Sequence, residues 1–184
     1  PMRSSAASDV YKRQLFTYIN EIMPVTVFDF NKNSDISNWY VVDDVVMGGR
    51  SYGRLSIDPK GNGVFKGNVS LENNGGFSSL RYRFKKQKID QYQNLVLYLK
   101  GDGKKYQIRI KENSRDYYSF VYNFRTSGEW EKIELDLNDL VPYFRGRRLN
   151  MDNYSGKYLE EVGFLIGNKR AERFRLEIDK IELH

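Results

Sequence analysis

The chain has no cysteine, and its one histidine, His184, is the final residue. Disulfides, thiolate zinc sites and cysteine nucleophiles are therefore excluded, and a histidine-based triad or histidine-rich metal centre has no residues from which to form. Proline occurs at only four positions, which rules out long proline-rich linkers. No apolar run reaches the roughly 18 residues that a membrane-crossing helix needs. Nucleotide-binding signatures are missing as well. The glycines in Val46-Met47-Gly48-Gly49-Arg50-Ser51 lack the lysine of a phosphate loop, and a strand-like segment, not a helix, follows them. Neither G-x-G-x-x-G nor βαβ alternation occurs, and no acidic run has the spacing of an EF-hand calcium loop.

What the chain does have is aromatic bulk. Tyrosine (14) and phenylalanine (11) dominate, and 40% of the 184 residues are apolar, too many for a disordered chain and enough for one domain with a full core. The net charge of +6 includes a leader read as extraneous. Residues 9–14, DVYKRQ, back-translate as GAT GTG TAT AAG AGA CAG, which resembles a transposase adaptor used in DNA sequencing, so residues 1–14 are set aside as an assembly artefact. That leaves 27 basic and 23 acidic residues, a net of +4, with the two signs interleaved. Interleaving describes a solvated surface, not a nucleic-acid stripe, so no nucleic-acid partner is expected. Residues 15–24 form an N-terminal extension and 25–184 a single domain. A cytoplasmic location is expected, while the missing native start leaves a signal peptide open.

From residue 25 onward the patterning is mostly period two. Leu80, Tyr82 and Phe84 alternate with Arg81, Arg83 and Lys85. Tyr106, Ile108 and Ile110 alternate with Gln107, Arg109 and Lys111, and Phe65, Val69 and Leu71 share a face. The segment 94–100 is apolar on both faces and reads as a central strand. In the last strand Phe174, Leu176 and Ile178 are even but Ile181 and Leu183 odd, which calls for a bulge near Lys180. Segments 94–100 and 105–111 are expected to form a hairpin turning at Gly101-Asp102-Gly103. Short helical turns are expected near 34–40 and 136–141. About ten short strands with Gly/Asn/Asp turns make an all-β sandwich or barrel.

Several stretches resist simple patterning. Residues 43–51, DDVVMGGRS, have neither period. In residues 72–81, ENNGGFSSLR, two asparagines and two glycines permit left-handed backbone. Asp43, Asp44, Asp102, Glu112 and Asp116 are the carboxylates available for acid–base work, but nothing in the sequence sets a separation between any two of them. Trp39, Tyr40, Tyr52, Tyr117, Tyr118 and Trp130 are candidates to stack on sugars.

In order, these motifs resemble the complex I intermediate-associated protein family. WYVVDDVVMGGRSYGRL (39–55), FKGNVSLENNGGFSSLR (65–81) and LYLKGDGKKYQIRI (97–110) match its signatures, with Trp130, FRG at 144–146 and FRLEIDKIEL at 174–183 completing the set. Val45 departs from the pattern, since members commonly carry a small or polar residue there. The resemblance covers residues 25–184. It implies a galactose-binding-like jelly roll, and for mitochondrial members a role in assembling the NADH:ubiquinone oxidoreductase. It carries over no catalytic residue and no cofactor. The chain is accordingly read as a single-domain, bacterial-type, non-enzymatic assembly module that binds a partner protein, with a respiratory-complex assembly intermediate as the named candidate. A carbohydrate-binding module is the alternative, and a hydrolase using two of the acids is a third reading. The candidate binding residues are Asp44, Met47, Gly48, Gly49, Arg50, Ser51, Asn73, Asn74, Gly75, Gly76, Phe77, Ser79, Arg81, Gly101, Asp102 and Arg145, and two arrangements are open: Asp44 paired inward with a group such as Arg81, or Met47 and Arg50 facing outward to a partner. Neither metal, cofactor nor membrane span is expected.

Overall fold

The computed structural model describes residues 23–184. The leader 1–14 and residues 15–22 of the extension lie outside the described residues. The strands are β1 (Val25–Asp29), β2 (Trp39–Asp43), β3 (Tyr52–Ile57), β4 (Gly63–Val69), β5 (Ser78–Lys88), β6 (Asn94–Lys100), β7 (Lys105–Lys111), β8 (Ser119–Arg125), β9 (Trp130–Asp136), β10 (Val141–Phe144), β11 (Arg147–Arg148), β12 (Tyr158–Ile166) and β13 (Glu172–Leu183). They form two antiparallel sheets. One runs β3-β4-β13-β6-β9, with β1 also on β13, and the other runs β11-β10-β8-β7-β12-β5-β2. Packed face to face, these are an all-β jelly-roll sandwich.

The alternation explains the packing. Leu80, Ile108, Phe120, Val162 and Phe164 of one sheet and Phe65, Leu97, Leu135, Leu176 and Ile181 of the other are buried in a common core. Each such side chain stabilises the fold by about 1.5–3 kcal/mol relative to exposure. Strand β6 is buried on both faces through Leu95, Val96, Leu97 and Leu99, as its continuous apolar run implied. The parity change in β13 is a bulge: its pairing with β6 slips between Ile178 and Lys180. Asp179 is the extra residue, and its carbonyl accepts from Phe30 N–H at 2.8 Å. Ile181 and Leu183 thereby return to the core face.

Two expectations are corrected. Strands β6 and β7 are not a hairpin, because β6 pairs with β13 and β9 while β7 pairs with β12 and β8. The Gly101–Lys104 segment instead carries the chain from one sheet to the other. Gly101 fits there because a Cβ would overlap the Thr126 side chain. Leu71 does not share the buried face of Phe65 and Val69, because β4 ends at Val69 and the chain turns outward. The single turn expected near 34–40 forms, closed by Trp39 N–H to the Ile36 carbonyl at 3.0 Å, with the Asp35 side chain accepting from Ser37 N–H, before Trp39 opens β2. The turn at Leu137–Asp139 forms as expected, with the Asp136 side chain accepting from Asn138 N–H.

Candidate functional site

Where β2 ends, the consecutive acids Asp43 and Asp44 pin the two sheets together. Asp43 Oδ2 accepts from Gly53 N–H of β3 at 3.0 Å, and Oδ1 accepts from the Ser78 hydroxyl of β5 at 2.5 Å. Asp44 opens a 3-10 turn, Asp44–Met47, and is completely buried. Its Oδ1 accepts from Ser51 N–H at 2.9 Å. Its Oδ2 accepts from the Ser51 hydroxyl, from Gly76 N–H at 2.5 Å and from Phe77 N–H at 3.2 Å. Burial alone would raise this carboxyl's pKa. The donors, led by the Ser51 hydroxyl and followed by the Gly76, Ser51 and Phe77 amides, outweigh burial and hold it below the usual carboxylate range. A charged group inside the protein is thus matched by fixed dipoles.

The glycines are shaped around this carboxylate. A Cβ on Gly49 would overlap Asp44 Oδ1, and one on Gly75 would sit 2.6 Å from Oδ2. Gly48 (φ 89°) and Gly76 (φ 146°) have positive φ, where side chains are strained. Asn73 (φ 55°) and Asn74 (φ 59°) take the left-handed conformation that asparagine tolerates. Two further links join the loops, Asn73 Nδ2 to the Gly48 carbonyl at 3.1 Å and the exposed pair Arg50–Glu72 at 2.9 Å.

So nine of the candidate residues converge on one corner: Asp44, Gly48, Gly49, Arg50, Ser51, Asn73, Gly75, Gly76 and Phe77. Asn74 lies in the same loop with its side chain exposed, and Met47 projects outward. The rest lie elsewhere. Ser79 and Arg81 sit on the outer face of β5, where Arg81 Nε donates to Ser79 Oγ at 3.4 Å, so Arg81 is not the partner of Asp44. Asp102 accepts from the Tyr106 hydroxyl (2.9 Å), Lys104 Nζ (2.7 Å) and Arg175 N–H (3.0 Å), a structural tie from the Gly101–Asp102 crossover to β13. Arg145 lies in the β10–β11 turn at the opposite end of the sheet, its guanidinium 5.2 Å from the Phe144 ring centroid.

The corner presents apolar side chains to solvent. Val45 is 60% exposed, Met47 59%, Tyr52 57% and Leu71 45%. Sequence reasoning singled out Met47 from this group for partner binding and Tyr52 as a candidate to stack on sugars. Val45 was visible as a departure from the family pattern, but Leu71 was assigned to the core. Of the aromatic candidates, Trp39 is core, stacked on Tyr82 at 4.8 Å, while Trp130 and Tyr117 are exposed. Trp130 borders a shallow depression of about 470 Å³ with Asn62, Tyr98, Glu131, Lys132 and Asp179.

Comparison with solved structures places the sandwich beside known carbohydrate-binding folds. The family 11 carbohydrate-binding module of a cellulosomal cellulase from Clostridium thermocellum superposes with a TM-score of 0.64 at 15% identity, covering 88% of this chain and 94% of that one. An agarase matches with a TM-score of 0.56 at 11% identity, over 88% of this chain but only 24% of its own. At these identities the likeness is one of fold. Among characterised sequences, the mitochondrial Complex I intermediate-associated protein 30 of Drosophila melanogaster is 26% identical across 85% of this chain and 62% of its own length. The protein of the same name from Mus musculus is 24% identical across 84% and 54%. The chain thus spans a little over half the length of these relatives. The family model for Complex I intermediate-associated protein 30 matches residues 28–178, from β1 through the first half of β13, and the chain belongs to that family.

Proposed function

We propose that this chain is a non-catalytic assembly module that docks a partner protein, an assembly intermediate of a respiratory complex, through the corner formed by residues 44–51 and 71–77. The observation that carries the reading is the exposure of Val45, Met47 and Leu71 on two loops that are otherwise locked to each other. Exposed apolar side chains on a rigid base bind without the ordering cost of a mobile loop. The polar rim of Arg50, Glu72 and Asn74 suits a protein interface. Family membership supports the class of partner. Saturation of Asp44 by four donors also argues against acid–base work by that carboxylate.

The test uses the double variant Met47→Asp, Leu71→Asp in the native host. Co-migration of the wild-type chain with complex I assembly intermediates on native gels, lost in the double variant at unchanged thermal stability, is the expected result. Co-migration that survives both substitutions, or none in the wild type, sinks the reading.

A second reading rests on Trp130. Its indole offers an open planar face beside a depression lined by amide, carboxylate and amine groups, while Lys180 already covers the Tyr98 ring at 4.5 Å. Carbohydrate-binding modules share the fold, and a glycan array compared with Trp130→Ala would favour this reading if sugar binding is strong and lost in the variant.

A further inference from the structure

The outer face of the seven-stranded sheet carries two adjacent cross-strand rows that differ in their middle residue. In one, Arg83 of β5, Glu161 of β12 and Lys111 of β7 stand side by side. Glu161 is buried between the two cations. Its Oε2 lies 3.3 Å from Arg83 Nη2 and accepts from the Tyr40 hydroxyl at 3.0 Å, while Lys111 Nζ donates to the Asp116 carbonyl. In the next row the same strands supply Arg81, Gly163 and Arg109. Here the centre has no side chain, and none fits, because a Cβ on Gly163 would overlap the Leu80 carbonyl oxygen. The two arginine side chains thus flank Gly163, which is itself buried, with Arg81 Cγ 3.4 Å from where its Cβ would stand. The Cα atoms of the two arginines are about 10 Å apart, two strand spacings.

Arg109 is the less provided for of the pair. Arg81 has the Ser79 hydroxyl, whereas no hydrogen bond or ion pair reaches the Arg109 guanidinium among the described residues. Arg109 is also half-buried. Burial first, and repulsion from Arg81 second, push its pKa down to about 10, against a smaller opposing pull from Glu161. Two guanidiniums side by side with no counter-charge between them repel each other, and an anion placed between them relieves that repulsion. Around Arg83, Arg81, Arg109 and Lys111 the carboxylates are Glu161 and, near Lys111, Asp116.

We propose that the Arg81–Gly163–Arg109 row binds a carboxylate-bearing ligand, whose carboxylate lies between the two guanidiniums as that of Glu161 lies between Arg83 and Lys111. Guanidinium groups hold carboxylates through paired, charge-assisted hydrogen bonds, and the glycine leaves the space between the two arginines without a side chain of its own. Beyond the carboxylate, the ligand meets the Tyr40 phenol beside Arg81 and the Gln107–Asn123 amide pair, hydrogen-bonded at 3.1 Å, in the adjoining row. These are hydrogen-bonding neighbours, and they favour a small polar acid. The site is separate from the Asp44 corner and does not depend on the docking reading.

The test is an NMR titration of the whole described chain, following the Arg81 and Arg109 Nε–H signals. Galacturonate and N-acetylglutamate amide are the carboxylate probes, galactose the uncharged control and inorganic phosphate the competing anion. Saturable shifts at both arginines with galacturonate, none with galactose, and binding weakened at least about tenfold by Arg109→Gln and by Arg81→Gln are expected. Arg109→Gln should at the same time keep or raise the thermal midpoint, which separates loss of the site from loss of the fold. Tighter binding of the glutamate probe than of galacturonate supports the site and assigns it to an acidic side chain instead of a sugar acid. No saturable carboxylate binding up to tens of millimolar, tighter binding of phosphate, or carboxylate binding that Arg109→Gln leaves intact overturns the proposal.

Discussion

Replacing Asp44 should destabilise the sandwich more than any exposed substitution in the corner, and the structure sets the scale. Four donors converge on the carboxylate, and they differ in what they lose. Ser51 N–H is buried and has no substitute acceptor, so orphaning it costs about 1–3 kcal/mol. The Ser51 hydroxyl retains the Ser70 carbonyl at 3.3 Å, and the half-buried Gly76 and Phe77 amides recover some hydration. Asp44→Ala is therefore expected to cost about 3–4 kcal/mol, which for a domain of this size lowers the melting temperature by roughly 10 °C. Asp44→Asn keeps one acceptor but turns an amide toward donors, and should cost about 2–3 kcal/mol. Urea unfolding measures both, with the slope unchanged if only the native state is affected. The pH dependence supplies a second check. Because folding depresses this carboxyl, its contribution is full above the unfolded value near 4 and fades as pH falls through the folded one, so wild type and Asp44→Asn should converge in acid. A loss below about 1 kcal/mol in the Asn variant, or a gap independent of pH down to 3, would refute the view that this carboxylate locks the corner.

Neighbouring glycines should respond differently to alanine. Gly48→Ala has open space and meets only the left-handed strain, about 1–2 kcal/mol, whereas Gly49→Ala must displace Asp44 and should cost more, as thermal melts of the pair will show. Deleting Asp179 removes the bulge residue and leaves Ile178, Ile181 and Leu183 alternating onto the core face in unbroken register with β6, so unfolding should stay cooperative, with a loss of about 1–3 kcal/mol from the Phe30 N–H that bonded the Asp179 carbonyl, read from thermal melts. Glu161→Gln leaves Lys111 and Arg83 without their shared counter-charge and is expected to lower stability by about 2 kcal/mol, with a smaller loss in the double variant Glu161→Gln, Lys111→Met by a double-mutant cycle.

Alternation made the core legible in the sequence. The odd–even switch after Ile178 even located a bulge, because side-chain parity is a local property of the strand. Sheet membership is not local. Strands β6 and β7 alternate well and are joined by Gly-Asp-Gly, which is all that a hairpin would show. Only Thr126, packed where a Gly101 Cβ would go, reveals the crossover between sheets. The corner was legible as a set of residues but not as a bonding pattern. Asp44 is satisfied by backbone amides of Gly76 and Phe77, which leave no mark in the identity of those residues, so a charged partner such as Arg81 was the natural expectation. Arg145 belonged to the motif set yet lies at the far end of the molecule, since order along the chain carries no distance. The Arg81–Gly163–Arg109 row was unreadable for a related reason: it exists only once three strands are in register.

Strand β13 has a consequence for synthesis. It holds β4 on one side and β6 on the other, and through its bulge it also holds β1, the first described strand. Yet it is the last described strand to leave the ribosome. Until residues 172–183 emerge, β3–β4 and β6–β9 are two fragments with no shared edge, and their apolar inner faces have no completed sheet behind them. Nascent chains stalled before residue 172 should therefore remain protease-sensitive throughout, and folding should wait on the final segment instead of proceeding from the N-terminus inward.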